Sequence, residues 1–382
     1  MKICKLCLVV DTRPGLEIDD KNICFPCKIK KDELSIDWGN RRKELDDIIK
    51  WAKPFQSDRK YDCIVSVSGG KDSTRQALLV KDELKLKPLL VSCVAPPDYI
   101  TSLGIKNLEN LIKIGFDCIS VTPSPQKWRL LARESLSKYG NILKASEMAL
   151  YATAPRVGTN FKIPLIFLGE NNALTYGDGG GSLGGDANNI KNNNTLSGGD
   201  PTELLPSHYT KSDVIWHYFP SDKDLKRANI RLVYLGYYFK DFNNYKNTEI
   251  ALNNGLELKK NINSLETGSI YNNDALDDDF QHVNQLLKYL KFGFSKVTDE
   301  MGEAIRLNLV SKDKAEELIK EYDGRCSFFY INNLCKYLGL TIDEFWDIAK
   351  RFINTKIWTP TSKDCWVLKH PLYKREFKLF YE

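Results

Sequence analysis

Residues 65–78, VSVSGGKDSTRQAL, constrain the fold of this chain more than any other stretch. The apolar, β-branched run at 64–67 stands directly before turn-forming residues, which predicts a short buried strand. Gly69 and Gly70 then permit backbone angles and a closeness of approach that side chains forbid. The following Asp-Ser-Thr sequence favours the start of a helix, which we expect over residues 72–85. The stretch therefore predicts a strand, a tight glycine turn and a helix.

Such a turn is an anion site, because free N–H groups and the helix dipole point at one spot. The hydroxyls of Ser68 and Ser73 and the charge of Lys71 add donors, so the expected ligand is phosphate. The turn is too short for a Walker loop, which needs four residues between its first Gly and its Gly-Lys pair, and it does not match G-x-G-x-x-G. The alternative is an ordinary strand-to-helix turn that contains two glycines.

The surrounding chain alternates between strand and helix patterns. After a helix at 41–53, strands are predicted at 62–67, 88–94, 117–121 and 163–168, and helices at 72–85, 102–114, 125–139 and 142–160. This alternation predicts an α/β fold with a parallel, doubly wound sheet. A further strand is expected at 231–239, and the chain reads as mostly helical after about residue 240. The predicted domains are 1–35, 36–240 and 241–382.

Ligands of such sheets bind beyond the carboxyl ends of the strands. This rule places Cys93, Ala95, Thr122, Gly169 and Glu170 near Lys71, and adenine of a nucleotide against the end of the strand at 88–94. Glu170 and Asn171 end a strand on the same face. Residues 169–200 are rich in Gly and Asn. We expect a substrate-binding loop there that orders on binding, with idle disorder as the alternative.

Four cysteines near the start form two C-x-x-C pairs, Cys4 with Cys7 and Cys24 with Cys27. Two pairs at this spacing can give four thiolates to one tetrahedral zinc ion. So short a segment cannot bury enough core to fold alone, so the metal would supply its stability. All four ligand positions would be filled, which indicates a structural rather than a catalytic zinc. Disulfide pairing is the alternative.

Ser68–Ser73, SGGKDS, resembles the PP-loop of the ATP pyrophosphatase superfamily. The combination of this loop with the two C-x-x-C pairs, IPLIFLGEN at 163–171, the glycine-rich loop, AEELIKEYDGRCS and TIDEFWDIAKRF resembles the N-acetyl sugar amidotransferase family. That family includes PseA-like and WbpG-like proteins of pseudaminic acid, lipopolysaccharide and flagellin-glycan pathways. The resemblance covers nearly the whole chain.

The resemblance implies an ATP-dependent enzyme that adenylates the N-acetyl oxygen of a sugar and replaces it with ammonia. Ser68, Gly69, Gly70, Lys71, Asp72 and Ser73 would hold the pyrophosphate of ATP, with Cys93 and Asn171 beside the nucleotide. Mg²⁺ would bridge the phosphates. Asp72 is a candidate for placing that ion, Glu170 for metal or ammonia, and Arg156 for the α-phosphate. A strand-end cap for Glu170 and a surface ion pair for Arg156 are the plainer roles.

Ammonia needs a source, and no Cys–His pair of a glutaminase is evident in the sequence. The resemblance implies a separate glutaminase subunit, similar to that of histidine biosynthesis, and a sugar or nucleotide-sugar substrate. No apolar run approaches the roughly 18 residues of a membrane helix, and no secretory signal is evident, so we expect a cytoplasmic enzyme.

A PP-loop enzyme that modifies tRNA, either a thiolase or a lysidine-type ligase, is the alternative function. A thiolase would need a cysteine to carry sulfur, and Cys93 is the best placed. The 55 basic and 50 acidic residues, a net charge of +5, speak against a nucleic acid partner. A non-catalytic nucleotide-binding scaffold is a third reading. The acidic run at 277–279 is expected to cap a helix.

Overall fold

Short apolar runs build a five-stranded sheet at the centre of the chain. The computed structural model describes residues 1–55, 61–177, 182–193 and 195–380. The strands are β1 (Cys63–Ser66), β2 (Pro88–Cys93), β3 (Cys118–Val121), β4 (Leu165–Leu168) and β5 (Arg231–Tyr234). Their order is β3-β2-β1-β4-β5, and every pair is parallel. Such strands are buried on both faces, which explains their nearly continuous apolar sequences.

The first strand lies in the middle of the sheet. Val65 pairs with Leu90 of β2 on one side and with Phe167 of β4 on the other. Chain order reverses between β1 and β4, so a crevice opens there beyond the carboxyl ends of the strands, where ligands of open α/β sheets bind. The glycine turn that follows β1 stands at this crevice.

Fifteen α-helices accompany the strands in the described residues. They are α1 (Phe25–Asp32), α2 (Trp38–Ala52), α3 (Lys71–Leu78), α4 (Ser102–Lys113), α5 (Pro125–Tyr139), α6 (Lys144–Phe161), α7 (Asn172–Thr175), α8 (Asp222–Arg227), α9 (Asn244–Asn253), α10 (Ser264–Thr267), α11 (Gln281–Phe292), α12 (Lys296–Arg306), α13 (Lys312–Tyr322), α14 (Phe328–Leu338) and α15 (Ile342–Lys350). The α3 helix continues as a π-helical turn over Leu79–Glu83.

Helices cover both faces of the sheet. Val65 and Phe167 pack with residues of α2, α3 and α4 on one face, whereas Ile64 and Ile166 pack with α6 on the other. The predicted parallel, doubly wound α/β sheet is therefore confirmed. The further strand expected at 231–239 is shorter, because a 3₁₀ turn begins at Leu235.

The C-terminal region is helical, as predicted, but it also contains an antiparallel sheet that the sequence did not predict. Its strands are β6 (Trp358–Ser362), β7 (Cys365–Lys369) and β8 (Lys374–Lys378), in that order. Pro360 lies in β6, where it is tolerated because β6 is an edge strand. This sheet packs with α11, α14 and α15 around the fully buried Trp346 and Trp358.

The segment around the four cysteines is joined to the C-terminal region. Leu8 is buried with Val297 and Met301 of α12, and Arg13 forms an ion pair with Asp299. The hydroxyl of Thr12 donates to the carbonyl of Phe292 over 2.5 Å. The three domains expected at 1–35, 36–240 and 241–382 stay a prediction, and these contacts join the first to the third.

The described part of the Gly/Asn-rich segment at 169–200 packs against the sheet. Ala187, Ile190 and Leu196 are buried beside β5, and Asp186 forms an isolated bridge with Val233. Residues 178–181 and 194 of the predicted loop lie outside the described residues. Among the described helices, none combines the length and apolar character needed to cross a membrane.

Candidate functional site

The glycine turn between β1 and α3 has a shape that only glycine allows at its first position. Gly69 has a φ of +88°, and a Cβ there would lie 2.7 Å from the backbone nitrogen of Leu108 in α4. Gly70 is the N-cap of α3 and provides no side-chain cap. The turn therefore brings a bare helix start to the crevice between β1 and β4.

Hydrogen bonds within the turn fix its shape. The Gly69 N–H donates to Ser73 Oγ over 3.1 Å, and that hydroxyl donates to the Gly70 carbonyl over 3.0 Å. Ser73 therefore uses its hydroxyl within the turn, and its predicted contact with pyrophosphate stays a prediction. The first N–H groups of a helix have no acceptor within it. The N–H groups of Lys71, Asp72 and Ser73 are consequently the donors with which the turn can hold phosphate.

Lys71 and Asp72 form an ion pair at the start of α3. Lys71 Nζ lies 2.8 Å from one carboxylate oxygen of Asp72, and Asn247 Nδ2 donates to the other oxygen over 2.8 Å. Burial alone would lower the pKa of Lys71, but the carboxylates of Asp72 and Asp274 outweigh it and raise that pKa. Lys71 is therefore a fully charged cation held by carboxylates that polyanionic phosphates can replace.

A small polar cavity of about 60 Å³, the acidic cavity, opens beside Lys71. Among its lining residues are Lys71, Asp72, Glu170, Asn247, Asp274, Lys296 and Glu303. Lys296 and Asp274 form an ion pair of 2.8 Å. Desolvation by the surrounding protein raises the pKa of Glu170, and the negative charge of Asp72 raises it further. Glu170 has no ion-pair partner in the described part of the chain, so its carboxyl group faces the cavity as an available proton acceptor or metal ligand.

A second cavity of about 250 Å³, the β2 cavity, lies on the other side of the turn. It runs from Ser68 to the end of β2 and is lined by Ser68, Cys93, Ala95, Tyr99, Trp128, Leu143, Ser146, Glu147, Leu150, Tyr151, Asp277, Asp278 and Gln281. Burial raises the pKa of Cys93 to about 11, although a hydrogen bond with Thr153 lowers it in part. Cys93 is therefore a neutral thiol and not a reactive thiolate.

A third cavity of about 160 Å³, the module cavity, lies between α1, α2 and the ends of β4 and β5. It shares Glu170 and Glu303 with the acidic cavity. The guanidinium of Arg41 lies 3.8 Å from the ring centre of Tyr237 and 4.9 Å from that of Trp38. These side chains line the same cavity as Glu170, and Glu170 also lines the acidic cavity beside Lys71.

The four cysteines expected to bind zinc come together. The Sγ atoms of Cys4, Cys7, Cys24 and Cys27 all lie within 4.8 Å of one another, and all four residues are buried with free thiols. A buried group of four thiols suits a tetrahedral zinc ion and leaves no open position, so the cluster can hold a structural metal ion. The disulfide alternative is wrong, because each of these cysteines is free.

Arg306 connects the cysteine cluster with the cavities. Burial would lower the pKa of Arg306, but its electrostatic interactions with Cys7, Cys27, Cys24 and Glu303 outweigh burial and raise that pKa. Its guanidinium donates to the carbonyl of Thr175 in α7 over 3.0 Å and lines the module cavity. The metal-binding cluster therefore lies against one wall of the site.

Two predicted site residues have other roles. Arg156 does not line any of the three cavities and instead donates to the carbonyl of Tyr218 over 2.5 Å. Asn171 lines the module cavity, but its Nδ2 donates to the carbonyls of Ser182 and Gly184, and its Oδ1 caps α7. Both side chains bond to the chain around the site, and although Arg156 Nε has no partner among the described residues, Arg156 lines none of the three cavities.

The residues that the sequence did not single out come from the helical region. Lys296, Glu300 and Glu303 follow each other at helical spacing along one face of α12, and Asn247 reaches Asp72 from α9. A helix face that carries three charged residues and is nevertheless buried or half-buried is unusual. That charged stripe was the one available signal, and it points to the acidic cavity.

Comparisons with known proteins include a match within this C-terminal region. Residues 268–372 match a family model described as "LPS biosynthesis protein WbpG-like, C-terminal domain". An uncharacterized protein from Methanocaldococcus jannaschii is 30% identical over 111 residues, which are 29% of this chain and 38% of that protein. The chain therefore spans well under half of that relative. The first match confirms the predicted resemblance over residues 268–372, which are similar to the C-terminal domain of WbpG-like LPS biosynthesis proteins.

Proposed function

We propose that this protein is an ATP-dependent amidotransferase that converts the N-acetyl group of a bacterial surface sugar into an acetamidino group. The observation that carries the proposal is the bare start of α3 beside Lys71, which stands between the β2 cavity and the acidic cavity. Phosphates held there would have room for a nucleoside on one side and for an acceptor on the other. The WbpG-like domain supports a role in lipopolysaccharide biosynthesis.

The reaction has two steps. The carbonyl oxygen of the N-acetyl group attacks the α-phosphorus of ATP, the bond to the β-phosphate oxygen breaks, and pyrophosphate leaves. Ammonia then attacks the imidate carbon, and the carbon–oxygen bond breaks so that AMP leaves with the former carbonyl oxygen. A proton leaves the attacking nitrogen, and the amidine product is a cation at neutral pH.

Several residues have roles in this scheme. Lys71 and the free N–H groups at the start of α3 hold the pyrophosphate and stabilise the charge that develops on it. Glu170 accepts the proton from the attacking nitrogen, because its raised pKa makes it a better base than an ordinary carboxylate. Mg²⁺ commonly takes one or two carboxylates together with phosphate oxygens, so Asp72 fits as its protein ligand. Bound there, Mg²⁺ would neutralise phosphate charge.

Ammonia would come from a separate glutaminase subunit, as the family resemblance implies. A glutaminase site needs a nucleophilic thiolate beside a histidine. Burial raises the pKa of Cys93, Cys326 and Cys335, and no cysteine forms a hydrogen bond with a histidine in the described residues. These cysteines give the chain no group suited to hydrolysing glutamine, which supports a partner.

The test is an assay with ATP, Mg²⁺, an ammonium salt and N-acetylated nonulosonic acids or nucleotide sugars. We expect release of AMP and pyrophosphate together with the mass change of replacing oxygen by NH in the sugar. Lys71→Ala should fold normally and lose AMP formation, whereas Lys106→Ala, an exposed lysine on α4, should behave as wild type. Normal turnover by Lys71→Ala would refute the assignment of the site.

A tRNA-modifying activity is less well supported. A thiolase would use Cys93 to carry sulfur, and the raised pKa of Cys93 opposes such reactivity. The same assay with bulk tRNA as acceptor distinguishes the two functions. AMP release that depends on tRNA and not on a sugar would overturn the amidotransferase proposal.

A further inference from the structure

We propose that the acceptor sugar binds in the module cavity, and that Arg41 and Lys240 in its lining bind an acid group of that sugar. The inference rests on the proposed function in that it takes a sugar with an N-acetyl group as the acceptor. It adds the place where the sugar ring lies and the residues that select the sugar. The scheme above leaves the module cavity without a ligand.

The sizes of the acidic cavity and the module cavity indicate where a sugar ring can lie. A cavity needs about 10–15 Å³ to hold one water molecule, so the acidic cavity of about 60 Å³ holds only a few groups of that size. The module cavity is larger, at about 160 Å³. A small substituent such as an acetamido group suits the acidic cavity, whereas a sugar ring needs the module cavity.

The two cavities adjoin each other. The residues that line both are Glu170, Thr175, Phe242, Asn243 and Glu303. Lys71 lines the acidic cavity but not the module cavity, and the reverse holds for Arg41 and Lys240. A sugar in the module cavity can therefore place its N-acetyl group at the shared residues while its other groups stay beside Arg41 and Lys240.

Aromatic side chains give the module cavity a surface suited to a sugar ring. The aromatic residues of its lining are Trp38, Tyr237, Phe239 and Phe242. Phe242 packs closely on Gly236, where a Cβ would lie 2.7 Å from the ring of Phe242. The C–H faces of a pyranose ring are apolar and pack on aromatic rings, and a few charged groups beside such rings fix the orientation of a ligand.

Arg41 has the position and the donors to bind an anionic group. The ring of Tyr237 lies 3.8 Å from its guanidinium, and Arg41 donates one hydrogen bond to the Tyr237 carbonyl over 2.7 Å. A guanidinium has five N–H donors, and Arg41 forms no ion pair with any residue that the structure describes. Its remaining donors therefore suit a carboxylate or a phosphate, which arginine binds through two parallel hydrogen bonds.

Lys240 adds a second cation to the lining. It is exposed, and within the described ranges it forms neither an ion pair nor a hydrogen bond. Lys30 also lines the cavity, but Lys30 pairs with Glu33. Lys240 is therefore free to approach a negative charge on a ligand.

The shared residues carry the opposite charge. Glu170 and Glu303 lie among them, and burial raises the pKa of both carboxyl groups. These carboxyl groups, when ionised, repel an acid group of the sugar, whereas Arg41 and Lys240 attract it, so the charges orient the sugar. The same carboxyl groups favour the cationic amidine that forms from the N-acetyl group.

The test measures sugar binding by calorimetry, without ATP, for two pairs of ligands whose members differ in an acid group. One pair is N-acetylneuraminic acid and its methyl ester, which tests a carboxylate. The other is N-acetylglucosamine 1-phosphate and N-acetylglucosamine, which tests a phosphate. Hydrogen bonds to charged groups predict that wild-type protein binds the acid member of at least one pair about tenfold more tightly than the neutral member.

Variants locate this preference in the module cavity. Arg41→Gln should remove most of the preference and leave the affinity for the neutral member unchanged. Arg42→Gln is the matched control, because Arg42 is the next residue of α2, pairs with Asp46 at 3.1 Å and does not line the cavity. Lys240→Gln should weaken binding of the acid member about two- to fivefold, since an exposed ion pair contributes less than a buried one.

A preference that is lost in Arg41→Gln and kept in Arg42→Gln supports the inference. Equal binding within both pairs by wild-type protein overturns it, as do the absence of binding of both acid sugars and a preference that survives in Arg41→Gln. An equal loss of affinity for both members in Arg41→Gln also overturns it, because Arg41 would then only support the fold. If Arg41→Gln does not fold, unchanged binding by Lys240→Gln overturns the inference, and the expected weakening supports it.

AMP formation separates this inference from the proposed function. AMP formation by wild-type protein, together with an unchanged KM for the sugar in Arg41→Gln, would refute the inference alone. A preference for the acid sugar that depends on Arg41, without AMP formation from any acceptor, would refute the proposed function alone.

Discussion

Replacing Gly69 by Ala tests whether the turn has the geometry described above. Two costs add at this position. A non-glycine residue at a φ of +88° costs about 1–2 kcal/mol. The new Cβ would also lie 2.7 Å from the nitrogen and 2.9 Å from the Cα of Leu108, which are backbone atoms of α4 and cannot rotate away. Overpacking of this kind costs about 1–3 kcal/mol.

Gly69→Ala should therefore lower the free energy of unfolding by about 2–5 kcal/mol. Gly339→Ala provides the control, because Gly339 has a φ of +65° and nothing within 4 Å of a Cβ, so it bears only the conformational cost of about 1–2 kcal/mol. Urea denaturation followed by tryptophan fluorescence measures both. Equal losses of stability in the two variants would refute the close approach of α4 to the turn.

Three further changes probe the metal cluster, Asp278 and Cys93. Cys24→Ser should lower the amount of bound zinc and reduce Tm by about 5 °C or more, because a structural site loses a ligand. Cys118→Ser, the control, should keep the zinc content and the Tm of the wild-type protein. Full zinc content in Cys24→Ser would contradict the four-thiol site. Burial raises the pKa of Asp278 from 3.8 to about 7, so the native state retains a proton that the unfolded chain releases, and stability is lost as the pH rises through that window. Relative to Asp278→Asn, the free energy of unfolding of the wild-type protein should fall by roughly 4 kcal/mol at most between those pH values. Urea denaturation at several pH values measures this difference. If the free energies of the two proteins change with pH in parallel, Asp278 does not titrate in this way. Cys93→Ala should keep sugar-dependent AMP formation near the wild-type rate, and its loss would revive the thiolase alternative.

The central sheet could be predicted from the sequence because its strands are continuous apolar runs separated by clear helical patterns. The turn at Gly69 and the cluster of four cysteines could be predicted for a similar reason, since each is a local motif whose spacing fixes its geometry. Pro360 and the many charged residues of β8 hid the C-terminal sheet, because edge strands tolerate both.

The parts of the site that could not be predicted depend on contacts between distant segments. Asn247 reaches Asp72 across 175 positions of the chain, and Tyr99 reaches Asp278 across 179. No local pattern contains such a pairing. Arg156 lines none of the three cavities, because a helix that precedes a strand of the site need not direct every residue toward it.

The packing of the cysteine segment on α12 has a consequence for synthesis. Leu8 leaves the ribosome roughly 290 residues before Val297, its buried neighbour, which at about 5–20 residues per second is a delay of about 15–60 s. During that interval the segment lacks its contacts with α12, whereas its four thiols can already bind a metal ion. Metal binding is therefore expected to come first, and α12, which is synthesised later, then packs against the cysteine segment.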